Sequence, residues 1–324
     1  MREDIHRGIP STRNVKPEEG WRALRNMLVP PGSPLMGLLS LHRTFASDEF
    51  ELAAPRLRMR VAAGPASVKR VLHEQADAYR SRLEGDPVTA LFGQGLLVID
   101  GPRHGAVKDV IVRSSTRGVL ESRLRDTLPA LDEALQRALG QGTISLPDMP
   151  RRMTWRALES VYFHHRLTPE EERAYLSDLS HLVHYIGPGW WLLLGKTPRL
   201  PKAYHRMRLR LSAMYERALI RPDNAPIHAL ARACGDEETS FAVDQLMTLL
   251  VAGHDTATSL LSSLLILLAQ RPGLQDALWG EIQGATGRER PEIRVLDRLP
   301  LLDAVVKETL RLYPPIHSGL RSEV

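Results

Sequence analysis

The chain has 324 residues, 43% hydrophobic and 25% charged, a balance that excludes a disordered or fibrous protein and suffices for one large domain or two ordinary ones. Its single cysteine, Cys234, excludes an internal disulfide framework and a multi-cysteine zinc site, and fits a reducing compartment, the cytoplasm. The net charge of +5 comes from scattered residues, nearly all arginine, and aromatics make up 5%, which argues against a base-stacking nucleic-acid platform.

The first 35 residues carry both charge signs and lack the apolar stretch of a secretory signal. Short strand-like runs follow at 50–52 and 57–62, and Gly64-Pro65 turns the chain after the second. Val68, Val71 and Leu72 then recur at helical spacing. Further periodic segments predict helices over 106–112, 119–139, 155–163, 170–185, 203–220, 240–270, 274–284 and 302–313, with Gly and Pro in most gaps. The run IGPGWWLLL at 186–194 is too short to cross a bilayer and reads as a hydrophobic loop folded against its own protein. No period repeats, and no Ser/Gly-rich linker separates two domains. The expected architecture is one unit over 1–324, mainly α, with a small β-sheet from the N-terminal third.

The most apolar window, 246–269, approaches spanning length, yet His254 and Asp255 stand in its middle. It reads as a long buried helix and not a membrane span. Over 240–270 that helix would be about 45 Å long; Thr239 or Ser240 caps it and Pro272 stops it. Ala252, Thr256, Ser259 and Ser263 share one face as a stripe of small side chains. Such a stripe either lets a neighbouring helix approach or admits something bulky. The Thr256 hydroxyl is placed to bond back to the Ala252 carbonyl, which loosens a helix locally. An unpaired buried carboxylate costs several kcal/mol, so Asp255 needs a partner or a wet cavity, and with Thr256 it makes a proton-delivery pair. His254 reads as a core or rim histidine.

In KETLRLYPP, Glu308 and Arg311 lie three apart on one helix face, and Pro314-Pro315 ends the helix. A solvated ion pair is one reading. Because Val305, Val306, Leu310 and Leu312 surround it, part of the pair is expected to be drawn toward the core, where a guanidinium binds a carboxylate and backbone carbonyls together.

These two motifs, in this order and about fifty residues apart, resemble the cytochrome P450 family of haem-thiolate monooxygenases. TLLVAGHDTATSLLSSLLILLAQRPGLQDALWGEI is similar to that family's long central helix and its successor, and LPLLDAVVKETLRLYPP to its Glu-x-x-Arg helix. LFGQGLLVIDGPRHGAVKDVI is similar to the segment leading into a haem-contacting helix, and FELAAPRLRMRVAAGPASVKRVL is compatible with the first strand pair and the helix after it. The likeness covers most of 50–324. It implies a P450-like fold, haem as cofactor, O2 and a small organic substrate, and a ferredoxin- or flavodoxin-type electron donor. Carried over by position, Ala252 and Gly253 would let dioxygen and substrate lie against the haem, Thr256 would bond the oxygen held there, and Asp255 would relay protons from solvent. His104, Lys108 and Arg321 fall where the family binds the haem propionates; Lys108 replaces the usual arginine and loses its bidentate fork. Glu308 and Arg311 would form the structural ion pair.

This sequence departs from the family at several places. Asp255 stands where many members have glutamate, and Ala257 where a second threonine is common. The cysteine that holds the iron lies downstream of the Glu-x-x-Arg helix in the family, and Cys234, upstream of the central helix, does not match it. An arginine that completes the Glu308/Arg311 cluster is also unmatched. The expectation is therefore a chain cut short before the haem-ligand loop, binding haem poorly and inactive as it stands. The alternative is a haem-free helper that activates a partner enzyme. A third reading, an unrelated helical metal protein using pairs such as His181 and His184, is weaker, because that spacing suits a surface helix.

Overall fold

Proline starts helices in this chain. Pro65, Pro87, Pro169, Pro226, Pro272 and Pro300 each stand first in one, where the missing N–H forfeits no bond and the fixed φ suits the helix. The computed structural model describes residues 34–45, 47–54, 57–81, 85–140, 142, 146, 148–163, 167–187, 197–220, 225–234, 238–287, 293–319 and 321–323. The Trp190-Trp191 pair, most of its hydrophobic loop, and residues 1–33 lie outside these.

Contacts divide the described residues into two units. The first, drawn from 34–90, 185–199 and 317–323, contains α1 (Pro34–Phe45), the strands β1 (Glu49–Ala54) and β2 (Leu57–Ala62), α2 (Pro65–Lys69), which runs on into a π-helical turn (Arg70–Glu74), and β3 (Tyr79–Arg80) paired with β4 (Ser322–Glu323). β1 and β2 are antiparallel, Glu49 opposite Ala62 and Ala54 opposite Leu57. Phe45 stacks on Phe50 at 5.4 Å in a small core with Leu41 and Val61. Among the described residues the expected small sheet is thus two separate two-stranded ribbons.

The second unit, 91–184 and 200–316, is helical. Chain order gives α3 (Pro87–Phe92), which enters it, α4 (Gly101–Ser114), α5 (Arg117–Leu139), α6 (Asp148–Leu158) with a π-helical turn (Glu159–Phe163), α7 (Pro169–Ile186), α8 (Lys202–Ile220), α9 (Pro226–Cys234), α10 (Thr239–Ala269), α11 (Pro272–Thr286), a 3-10 turn (Ile293–Arg298) and α12 (Pro300–Leu312). α10 is the axis of this unit, packing on α6, α8, α9, α11 and α12. Leu246, Met247 and Leu250 from α10, Leu179 and Leu182 from α7, Met207, Leu211 and Tyr215 from α8, Leu230 from α9 and Trp155 from α6 are fully buried. Removing such apolar surface from water, at about 25 cal/mol per Å², is what holds these helices together.

The start of α10 also fixes the segment before α4. Asp244 accepts the Gln94 N–H at 2.9 Å, and the Gln245 amide donates to the Gln94 carbonyl at 2.6 Å. Arg208 from α8 pairs with the other Asp244 oxygen. A Cβ at Gly95 would lie 1.9 Å from Thr248 Oγ1 and 2.9 Å from the Asp244 carbonyl oxygen, so only glycine permits this approach. Gly95→Ala is expected to lower stability by about 1–3 kcal/mol, read as a lower urea midpoint with unchanged slope.

The long helix corrects one expectation. It is buried through its first half, Phe241 to Val251, but from Ser259 onward its residues are half-buried or exposed. Its most apolar 18-residue window is 22% buried. Length and composition alone would let it cross a membrane. Its first half is enclosed because the 93–98 segment and α8 both clamp onto it.

Candidate functional site

Side chains on a helix advance by about 100° per residue, so Ala252, Thr256, Ser259 and Ser263 share one face of α10, with Asp255 at its edge. His254 and Thr258 point to the opposite side, toward α6. There His254 is fully buried, with Nε2 3.0 Å from the Arg151 carbonyl oxygen. Thr258 shares a 2.6 Å hydroxyl–hydroxyl bond with Thr154. Gly253 also meets α6: a Cβ there would come within 3.1 Å of a Leu158 methyl. Its missing side chain serves the approach of α6, a helix-packing role that the resemblance did not suggest.

Ala252, Asp255, Thr256, Ser259 and Ser263 on the other side are half-buried. The Thr256 hydroxyl donates to the Ala252 carbonyl at 2.7 Å, as its position in the sequence led us to expect. Thr248 and Ser262 bond back in the same way to Asp244 and Thr258, so this helix is loosened at three places along its middle. Burial pushes the Asp255 carboxyl above the ordinary carboxylate range, while the nearby Arg151 charge pulls it back. His254 is pushed down to about 4, chiefly by burial, and so stays neutral at physiological pH.

On α4, His104 is half-buried and Lys108, one turn later, is exposed. Arg321 lies in the first unit, exposed, immediately before β4. On α12, Arg311 grips Glu308 with two bonds of 2.7 Å. This pair corrects the expectation of partial burial: Glu308 is 53% and Arg311 67% exposed. The buried position is taken by Thr309 between them, which turns the pair outward, and Leu310 and Leu312 are exposed beside it. The guanidinium holds the Glu308 carboxyl below its usual range, but an exposed pair of this kind adds little stability.

The residues fit one side of a haem and not the other. The stripe on α10 is made of small, half-buried side chains, Ala252 with the hydroxyls of Thr256, Ser259 and Ser263, which would leave room for a flat macrocycle. For the iron, the chain's one cysteine, Cys234, is half-buried at the end of α9 with its thiol pushed up by burial and by Glu238, which favours the protonated form and not a thiolate ligand. Among the described residues no cluster of three or more His, Cys, Asp or Glu is arranged to hold a metal ion. His181 and His184 lie exposed on α7, and His181 Nδ1 is bonded to the Ser177 carbonyl.

Sequence reasoning missed the α6 side of this site. Arg151 and Thr154 have no motif, and only the crossing of α6 over α10 brings them to His254 and Thr258. It also missed the buried cluster of Arg156, Glu159 and Glu172, where Arg156 pairs with both carboxylates. The one available signal was Arg156 and Glu159 at helical spacing beside Trp155.

The cytochrome P450 family model matches residues 237–324. Among curated proteins, the chain is 37% identical over 103 residues to a cytochrome P450 monooxygenase of Postia placenta, covering 32% of this chain and 18% of that protein. Similarity to the mitochondrial 25-hydroxyvitamin D-1 alpha hydroxylase of Mus musculus is 33% over 147 residues, 43% of this chain and 29% of that protein. The matched stretches thus span less than a third of these relatives' own length. Among solved structures, the retinoic-acid-bound cyanobacterial CYP120A1 superposes with a TM-score of 0.74 at 18% identity, over 92% of this chain and 69% of that one. A zebra fish cytochrome P450 with progesterone gives 0.73 at 18%, over 88% and 75%. With the family model on the long helix and the Glu-x-x-Arg helix, and the fold of these solved structures across nearly all of its length, the chain is similar in sequence to cytochrome P450s over residues 237–324 and has a P450-like fold.

Proposed function

We propose that this chain carries the oxygen- and proton-handling face of a haem-dependent monooxygenase, which inserts one atom of O2 into a small organic substrate using electrons from a ferredoxin- or flavodoxin-type donor. The observation that carries this reading is the pairing of a half-buried Asp255, its carboxyl raised by burial, with Thr256 on a stripe of small side chains. Haem, when bound, supplies the redox chemistry of dioxygen activation. The reaction takes up two electrons and two protons per O2, and it returns hydroxylated product and water.

The protein's share is to admit the flat group and to ration protons. Ala252 leaves room along α10, and His104 and Lys108 on α4 are the groups that would meet its carboxylates. The Thr256 hydrogen is held by the Ala252 carbonyl, so Thr256 presents an oxygen lone pair to the stripe and donates outward only after rotating off that carbonyl. Asp255, holding its proton more firmly than a solvated carboxyl, is the reservoir that reloads it. A hydroxyl and one carboxyl deliver protons singly without flooding the face with water.

Haemin titration of the chain, followed in the Soret region, tests the assignment of the face. A saturable site is expected, without the red-shifted band of a thiolate-ligated ferrous–CO haem, because Cys234 is the sole cysteine. Ala252→Trp, which sets a large ring on the stripe, is expected to reduce haemin affinity at least about tenfold, a cost of roughly 1.4 kcal/mol. Equal uptake by both proteins would overturn the reading.

A further inference from the structure

His254 lies next to the proposed proton-handling pair but points away from it. Its ring is fully buried, packed 6.4 Å from Trp155, with Nε2 3.0 Å from the Arg151 carbonyl oxygen. A carbonyl only accepts, so this bond requires the hydrogen on Nε2 and leaves Nδ1 as a bare lone pair. Among the described residues Nδ1 has no hydrogen-bond partner, and neither has the buried Trp155 Nε1, a pure donor. The bond therefore runs from the turn of α10 that bears Asp255 and Thr256 to the backbone of α6, and it holds there Arg151, whose charge pulls the Asp255 carboxyl down against the effect of burial.

We infer that His254 is a positioning residue: as the Nε2–H tautomer it ties the Asp255–Thr256 turn of α10 to Arg151 of α6, and so keeps the Arg151 charge within electrostatic reach of Asp255. This rests on reading Asp255 and Thr256 as the proton-handling pair. Two further contacts make the tie rigid. Thr154 bonds Thr258 one turn farther along, and Leu158 fills the space that Gly253 leaves. Among the described residues no ion pair within 4 Å joins Asp255 to Arg151, so the interaction is through space and depends on where α6 is held. The helices α8, α9, α11 and α12 also pack on α10, and none of their charged groups acts on His254 or Asp255.

The test is a 13C titration of the Asp255 carboxyl in the haem-free chain, with the resonance assigned by Asp255→Asn. The wild-type midpoint is expected above the ordinary carboxylate range. His254→Phe keeps a buried ring but removes the donor, and with Arg151 no longer held its charge recedes from the carboxyl, so the midpoint is expected to rise by about one unit, in the same direction as in Arg151→Met. His254→Gln, which retains a donor near the Nε2 position, is expected to restore it. Arg151→Met removes the counter-charge and is expected to raise it. An unchanged midpoint in His254→Phe, or His254→Gln behaving like His254→Phe, overturns the inference. Should His254→Phe fail to fold, the wild-type tautomer decides: long-range 15N–1H spectra are expected to place the hydrogen on Nε2, and a hydrogen on Nδ1 overturns it. None of these readouts needs haem, so failure of haemin uptake and failure of this role for His254 are separately visible.

Discussion

Arg156→Met is expected to cost about 3–5 kcal/mol of stability, the typical penalty for breaking a buried ion cluster by removing one partner. Arg156 is 8% exposed, and the two carboxylates it serves, Glu159 and Glu172, are each 3% exposed. One guanidinium nitrogen is 3.0 Å from Glu159, and another pairs with Glu172. Methionine fills much of the same volume, so packing is largely kept while both carboxylates lose their counter-charge. Among the described residues Arg152, 3.8 Å from Glu172 and itself half-exposed, remains. A cavity of about 160 Å³, lined by Arg137, Arg152, Arg156 and Glu172, keeps one side of the cluster near water, which places the loss toward the lower end of the range. The damage should also spread along the chain, because Glu159 accepts the Leu167 N–H and thus joins the end of α6 to the approach of α7. Urea denaturation at neutral pH measures the loss. The triple variant Arg156→Met, Glu159→Gln, Glu172→Gln is expected to recover most of it, since neutral amides no longer need the guanidinium. A single variant within about 1 kcal/mol of wild type would mean that the cluster is hydrated and not structural.

How far the fold was legible depended on what each element buries. The long helix and the Glu-x-x-Arg helix were readable because apolar residues recur over many turns, and their bounds fell within about two residues. Helix starts were placed late at Pro169, Pro272 and Pro300, because hydrophobic periodicity begins only at the first apolar residue, whereas proline at the first position already has helical φ. Whole helices were missed at Pro34–Phe45, Pro87–Phe92 and Pro226–Cys234. The last two are too short for a period to declare itself, and α9 is fixed by packing on α4, α8 and α10. At the site, Asp255 and Thr256 were visible as polar residues in an apolar helix. Their surroundings were not, since Arg151 and Thr154 reach α10 from about a hundred residues upstream. The outward turn of Glu308 and Arg311 was likewise decided by which face α12 lays against α10, a choice that Thr309 makes and that the apolar neighbours of the pair do not reveal.

The same burial sets two opposed pH dependences, and they separate by substitution. His254 titrates at about 4 in the fold against 6.5 when free. Between those values the unfolded chain binds a proton that the folded chain refuses, so stability falls as pH drops through the window. At 1.36 kcal/mol per unit the full loss is about 3 kcal/mol. Glu159 has the opposite sign: burial raises it to about 6 from 4.5, so between those values the folded chain holds a proton that the unfolded chain has lost. Its contribution therefore improves as pH falls from about 6 to 4.5, by about 2 kcal/mol. Wild type superimposes the two, so single variants are compared with it at each pH by urea denaturation. His254→Gln is expected to gain on wild type by about 3 kcal/mol between about pH 7.5 and pH 4, because an amide does not titrate. Glu159→Gln is expected to exceed wild type most at about pH 7.5, and that advantage should vanish near pH 4.5 as the native carboxyl takes up its own proton. A constant difference between wild type and His254→Gln across the range would show that His254 is reached by water and protonates in place at Nδ1, with the Nε2–H bond to Arg151 retained.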